Sequence, residues 1–331
     1  MAIAISILDL APISGGQTAR DSFEASVELA RAAERTGYER VWYAEHHNMP
    51  TIASSATSVV IGYVAAHTER IRLGAGGIML PNHSPLVIAE QFGTLGTLFP
   101  GRIDLGLGRA PGSDQNTMLA LRRDNGSADT FPQDVLELNG YLTGHSRIPG
   151  VEAVPRPAES VPLYILGSSL FGAQLAAQLG LPYAFASHFA PDALHQAVTV
   201  YRETFRPSAQ LAEPYVIAGV NVFAADDHET AQQQRVKAYR SRTRAFITRG
   251  ARGSNFTDAE IDAFLESPAG QGLANMTKYT VAGTPDEVRE YLVKFAEEAG
   301  ADELITAHHA SSVSDRVRSV ELTGEIMRVS K

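Results

Sequence analysis

Tyr38-Glu39-Arg40-Val41-Trp42-Tyr43-Ala44-Glu45-His46-His47-Asn48 decides how this chain is read. Its first half has the apolar, aromatic and β-branched character of a buried strand, and an Ala/Val-rich helical stretch opens at Thr51. A Glu-His-His triplet directly behind a strand, in a chain that alternates strands with helices, sits at the carboxyl end of that strand. Parallel α/β folds keep their chemistry there. The triplet marks a candidate active site, and the residues alone leave open a metal, a proton transfer or a cofactor.

The alternation runs through the chain in both directions from this point. Strand-like runs fall at 2–8, 41–44, 71–76, 102–108, 162–166, 183–186, 215–223 and 303–307. Between them lie helical stretches that begin at Thr18, with capping-box spacing to Asp21, and at 51–67, 85–98, 132–142, 170–179 and Pro191. Thr284-Pro285-Asp286-Glu287 opens another helix that Gly300 closes, and the last covers 315–327. Eight strand–helix units without a composition break predict one (β/α)8 TIM barrel, a single domain over 1–331, rather than a doubly wound sheet. Residues 111–129 read as a polar, Gly-rich connection and 144–160 as an excursion. The stretch 224–283 is too long for a barrel loop, so it reads as an insertion after the seventh strand, built of helical pieces and a mobile lid.

Composition narrows the class. The chain has 331 residues, 44% hydrophobic and 20% charged, which is ordinary for a globular protein. A net charge of −9 with no basic stripe argues against nucleic acid. The absence of cysteine excludes disulfides and thiolate metal sites. No basic segment precedes the first strand and no apolar run approaches the ~20 residues of a membrane span, so the expectation is a soluble cytoplasmic protein without a membrane anchor.

Several further residues sit at strand ends. Gly74-Ala75-Gly76-Gly77 ends the third strand, either as a tight turn or to let a flat ligand approach the backbone. Gly106-Leu107-Gly108-Arg109-Ala110-Pro111-Gly112 fails as a dinucleotide fingerprint on spacing and on Pro111. Arg109 itself is placed to hold a phosphate or carboxylate, with a structural salt bridge as the competing role. Gly167-Ser168-Ser169 either caps the helix that follows or offers free N–H groups to a phosphate. Arg122 and Arg123 lie on the loop after the fourth strand and could supply a second cation. In a regular strand His46 and His47 face opposite ways, so one of them at most enters a pocket, and a structural histidine is the competing role.

Taken in order, these segments resemble the bacterial luciferase-like flavin-dependent monooxygenases. The resemblance rests on 44–47 (Ala-Glu-His-His), 70–81, Ala89-Glu90-Gln91, 98–109 and 281–288, and it spans nearly the full length. It is nearest the single-chain luciferase-like oxidoreductases. It implies a (β/α)8 barrel with an insertion after the seventh strand, reduced FMN as cosubstrate and oxygen as oxidant, acting through a flavin hydroperoxide on a small organic substrate. A separate NAD(P)H:flavin reductase would supply the FMN. By residue, it implies His46 as the group assisting oxygen chemistry and Arg109, Ser168 and Ser169 as the phosphate contacts. It places Glu45, Gly76, Gly77 and Gly172 at the cofactor, with a cis peptide at Gly76–Gly77. Gly172 stands where the family often has a hydroxyl residue, so one phosphate contact is missing here.

Relatives usually pair through helices beside the second and third strands. Here Ile52, Val59, Val60, Tyr63 and Val64 exceed what one barrel-facing stripe needs, which predicts a homodimer. Three rival readings stand beside this one. A deazaflavin-dependent reductase or dehydrogenase shares the barrel and much of the pattern. A metal-dependent hydrolase would use Glu45, His46 and a ligand from a distant strand, although the chain lacks the His-x-His and His-Glu-x-x-His spacings. A flavin-binding barrel without catalysis is the third.

Overall fold

Local signals in the sequence set the element boundaries. Thr18 accepts a hydrogen bond from the Asp21 N–H at 3.2 Å, and the Asp21 carboxylate accepts one from the Thr18 N–H at 2.7 Å. The helix Ala19–Thr36 starts on that reciprocal cap and stops at Gly37, whose φ of 87° glycine adopts without strain. The computed structural model describes residues 3–110, 114–124, 126–248 and 256–328.

Nine strands are present among the described residues: β1 Ala4–Asp9, β2 Arg40–Tyr43, β3 Arg72–Met79, β4 Ile103–Gly108, β5 Leu163–Gly167, β6 Tyr183–Phe185, β7 Val216–Ala224, β8 Thr280–Gly283 and β9 Glu303–His308. β1 to β7 pair in sequence order and β9 pairs with both β7 and β1, which closes an eight-stranded parallel barrel. Ile7 stands opposite Val41 on one side and Thr306 on the other. β8 lies outside the ring. It pairs with Asn221–Ala224 of β7, above the point where β6 leaves that strand at Ala218. The sequence reading had no strand there.

Two apolar cores result. The larger packs the outward faces of the strands against the surrounding helices. The smaller fills the barrel with Leu8, Trp42, Ala44, Tyr164, Ala184, Ile217 and Ile305. Below it, at the amino ends of the strands, a buried ionic network forms the floor. Arg40 pairs with Asp104 at 2.8 Å and with Glu303 at 3.0 Å, and donates to the Tyr164 hydroxyl at 2.7 Å. Trp42 Nε1 donates to Asp104, Tyr215 donates to Glu303, and Ser6 donates to Glu303. Neutralised in this way, the charges can stay buried, where an unpaired one could not.

Two helix expectations change. The helix predicted over 51–67 begins only at Thr57 and runs to Ala65. Residues 51–56 are instead tied to the loop after β1: Ile13 N–H donates to the Thr51 carbonyl, Ala53 N–H to the Ala11 carbonyl, and Pro12 bridges Ile52. The connection at 111–129 contains a short helix, Gln115–Ala120, whose first N–H groups bond to Asp114. The insertion after β7 folds as helices His228–Thr248, Asp258–Glu266 and Pro268–Asn275. Arg240 and Asp262 join the first two at 2.6 Å, and Arg244 and Asp258 do so at 2.6 Å. Residues 249–255 of the stretch read as holding a lid lie outside the described residues. Among the described residues no helix is long and apolar enough to cross a membrane.

Candidate active site

The carboxyl ends of the strands gather the residues that the sequence marked. Glu45, just past β2, is buried, and both of its oxygens are engaged. Oε1 takes His47 Nε2 at 2.8 Å and Asn82 Nδ2 at 3.3 Å, and Oε2 accepts from the Met79 N–H at 3.0 Å. His83 Nε2 lies 2.9 Å from each oxygen. Burial alone would raise the pKa of Glu45, but the bonds from His83, His47 and the Met79 N–H outweigh it and hold the carboxylate below its usual value. The cluster fastens the loops after β2 and β3 to each other. His83 also lines a cleft of about 360 Å³ with Arg123, Ser127, Thr130 and Asp134. Arg122, by contrast, is exposed in a left-handed backbone conformation with φ 61°.

The rival metal reading used Glu45, His46 and a ligand from a distant strand, whereas the groups that converge are Glu45, His47 and His83. Their ligand atoms lie within 4.8 Å of one another. The two Glu45 oxygens already meet four nitrogen groups, so this cluster is complete as a hydrogen-bonded unit.

His46 stands half-buried just past β2, near His188 after β6. Beside it the Gly76–Gly77 peptide is cis, and the Gly77 carbonyl accepts from the Glu45 N–H at 3.3 Å. A Cβ on Gly77 would fall 2.6 Å from the Gly106 carbonyl oxygen and 2.6 Å from Leu166, and one on Gly76 would fall 2.8 Å from Trp42. Close packing of the barrel wall is thus sufficient reason for glycine at both positions.

Across the mouth, the Arg109 guanidinium sits 4.1 Å from the centroid of the Phe171 ring. Phe171 lies in the first turn of the helix Leu170–Leu179, whose N-cap is Ser169. No side chain caps that helix start, so the Ser169 hydroxyl is not spent on it, and Ser168 stands half-buried alongside. Gly172 is buried: a Cβ there would meet the Tyr183 ring at 3.3 Å, while the Tyr183 hydroxyl donates to the Ser169 carbonyl at 3.0 Å. A hydroxyl residue at 172 would displace the ring that anchors the turn. Cation, free helix start and small hydroxyl residues therefore converge, which is a fitting cradle for a phosphate monoester.

Comparison with known proteins decides the family. The family model for luciferase-like monooxygenases matches residues 3–303. The chain belongs to the luciferase-like monooxygenase family. A luciferase-like monooxygenase of Escherichia coli K12 is 50% identical over 328 residues, 98% of this chain and 97% of the relative. The N-acetyl-S-alkylcysteine monooxygenase of Bacillus subtilis is 34% identical and covers 89% of each chain. Among solved structures, apo-MsnO8 superposes with a TM-score of 0.87 at 36% identity, over 98% of each chain.

Within this luciferase-like barrel, the structure brings Arg109 together with Ser168, Ser169 and Gly172 on one side of the mouth, and places His46 beside Gly76–Gly77 on another. The sequence reading missed His83, which follows β3 in Pro81-Asn82-His83-Ser84-Pro85. It also missed His188 and the pair His308-His309. Histidines just past β6 and at the end of β9 repeat the signature that singled out Glu45-His46-His47, so strand position alone could have found them. Burial pushes His188 and His308 down to about 3, and His309 down to about 4. All three are neutral at physiological pH.

Proposed function

We propose that this monooxygenase-family protein uses reduced FMN and oxygen to oxygenate a small organic substrate. The observation that carries this reading is the Arg109–Phe171–Ser169 cradle facing a barrel mouth that also holds His46. Bound flavin would supply the two-electron reduction of oxygen at the edge of its ring. The chain's own residues bind, orient and shield. Arg109 and the helix start at Ser169 would hold the phosphate, with Ser168 beside them and Gly172 leaving room for the Tyr183 anchor. Gly76 and Gly77 would form part of the wall against which the flavin binds, and Glu45 fixes the loops that carry His46 and His83. His46 would move the proton, since an imidazole exchanges one near neutral pH. The helices inserted after β7 would exclude water from the mouth.

The same reading includes a separate NAD(P)H:flavin reductase as the source of reduced FMN, a homodimer and a cytoplasmic location. The relative named for N-acetyl-S-alkylcysteines makes small acylated thioethers the first substrates to try. The test is oxygen uptake by purified protein with chemically reduced FMN across thioethers, aldehydes, alkanes and sulfonates. The expected result is substrate-dependent uptake with one oxygen atom in the product. A protein that binds a deazaflavin and not FMN, and transfers hydride without consuming oxygen, would overturn it.

A further inference from the structure

The barrel mouth contains a second cationic group, on the side opposite Arg109. Arg316, in the first turn of the helix Val313–Arg328 behind β9, is only 3% exposed, and its Nε is shielded with no hydrogen-bond partner. Arg242, half-buried on His228–Thr248, has its pKa lowered by burial. Neither guanidinium has a carboxylate partner among the described residues. Their neighbours on the same helices do: Arg240 pairs with Asp258 and Asp262, Arg244 with Asp258, and Arg318 with Asp226. Arg316 is far more buried than its paired neighbour Arg318, whose side chain is 45% exposed, and its place in the first turn behind the carboxyl end of β9 sets it on the mouth side.

Arg242 and Arg316 both lie near His309, just past β9. The charges of both act on His309, and that of Arg242 acts on His188 as well. The Nδ1 of His188 is buried without a partner, on the wall next to Gly219 of β7. Both guanidiniums thus lie near His309, with Arg242 also near His188, and neither pairs with a carboxylate among the described residues. A buried guanidinium without a counter-ion is strongly disfavoured, and an arriving anion removes that penalty. Arginine matches a carboxylate or sulfonate with paired N–H groups.

We propose that Arg242 and Arg316 hold the anionic group of the organic substrate, a carboxylate or sulfonate, so that the preferred substrates are organic acids. This rests on the reading above, in which Arg109 and the Ser169 helix start account for the flavin phosphate. The other source of the same chemistry is that phosphate itself, and the experiment separates the two.

Binding of octanoate and octanesulfonate, with octanamide as the neutral control, is measured by calorimetry on the full-length protein without flavin. FMN and riboflavin are titrated in parallel. The expected result is that the acids bind at least tenfold more tightly than the amide. That preference disappears in Arg316→Met and Arg242→Met and persists in Arg109→Ala, and only Arg109→Ala loses the preference for FMN over riboflavin. Equal binding of acid and amide overturns the proposal, as does an acid preference that survives both methionine variants. Loss of the FMN preference in Arg316→Met, with Arg109→Ala unaffected, overturns it in favour of the flavin phosphate. Should Arg316→Met not fold, Arg242→Met on the less buried helix carries the same comparison. An acid preference in a protein that binds no flavin would sink the flavin reading and leave the anion pocket standing.

Discussion

The Arg109 guanidinium lies 4.1 Å from the centroid of the Phe171 ring, one turn from the uncapped helix start at Ser169. The stacking leaves the N–H groups at the edge of the guanidinium available while fixing its plane. Arg109→Ala is therefore expected to weaken FMN binding by about 1.5–3 kcal/mol, the loss for a hydrogen bond to a charged group. Riboflavin, which lacks the phosphate, should bind both proteins alike. Titration that finds FMN affinity unchanged would remove Arg109 from the phosphate site.

His46→Ala should keep the fold and flavin affinity and lower turnover by roughly 10²-fold, as the loss of a general acid–base does. The measurement is coupled oxygenation with a true substrate, alongside flavin titration. Comparable rates in the two proteins would leave His46 as a packing residue.

Acid should destabilise the protein earlier than its carboxylates alone would. His188, His308 and His309 are held neutral by burial, with folded pKa values of about 3, 3 and 4. The unfolded chain takes up these protons below ~6.5 while the folded chain does not. The stability is complete above that pH and is lost as pH falls toward the folded values, by about 1.4 kcal/mol per pH unit for each proton taken up. Glu45, whose folded pKa is lowered, adds a further loss below ~4.3. Denaturant midpoints at pH 8, 6.5 and 5 should fall slightly between the first two and steeply to the third. A flat profile down to pH 5 would refute it.

Gly77→Ala should cost about 1–3 kcal/mol by overpacking. Its Cβ would lie 2.6 Å from a backbone oxygen of Gly106, which cannot step aside as a side chain can. Unfolding curves of the variant with an unchanged midpoint would mean that the wall yields more readily than its geometry suggests.

The homodimer is expected to use the helix Thr57–Ala65. Val60 and Val64 of the predicted face are buried against the outside of the barrel, whereas Val59 is 70% and Tyr63 39% exposed, with Val87 of the next helix 45% exposed. Light scattering should report a dimer for the native chain and a monomer for Val59→Glu. A native monomer would leave these side chains as scattered surface hydrophobics.

Much of this architecture was legible because chain punctuation is chemical. Pro85–Leu98 and Leu170–Leu179 were placed to the residue, since proline at the first turn of the former and Gly180 after the latter act locally. The helix expected at 51 failed because residues 51–56 give their hydrogen bonds to the loop after β1, a tertiary contact without a local signal. β8 escaped because a four-residue strand outside the ring has no periodicity to read. In the site, Arg109, Ser168, Ser169 and His46 could be read one by one at strand ends. The grip of His83 and His47 on Glu45, and the approach of Arg242 and Arg316 to His309, needed the ring to be closed before they existed.

That closure bears on how the chain is made. The last barrel strand, β9, sits between β1 and β7, and Glu303 on the floor holds Ser6 across 297 positions and Arg40 across 263. While the ribosome is still delivering the region before residue 303, Arg40 and Ser6 lack that partner, and the inner edges of β1 and β7 stay open. Such edges invite pairing with other chains, and long-range closure is slow. A nascent chain of this kind gains its protection late and all at once, so messages truncated before β9 should yield material dependent on chaperones rather than a smaller stable barrel.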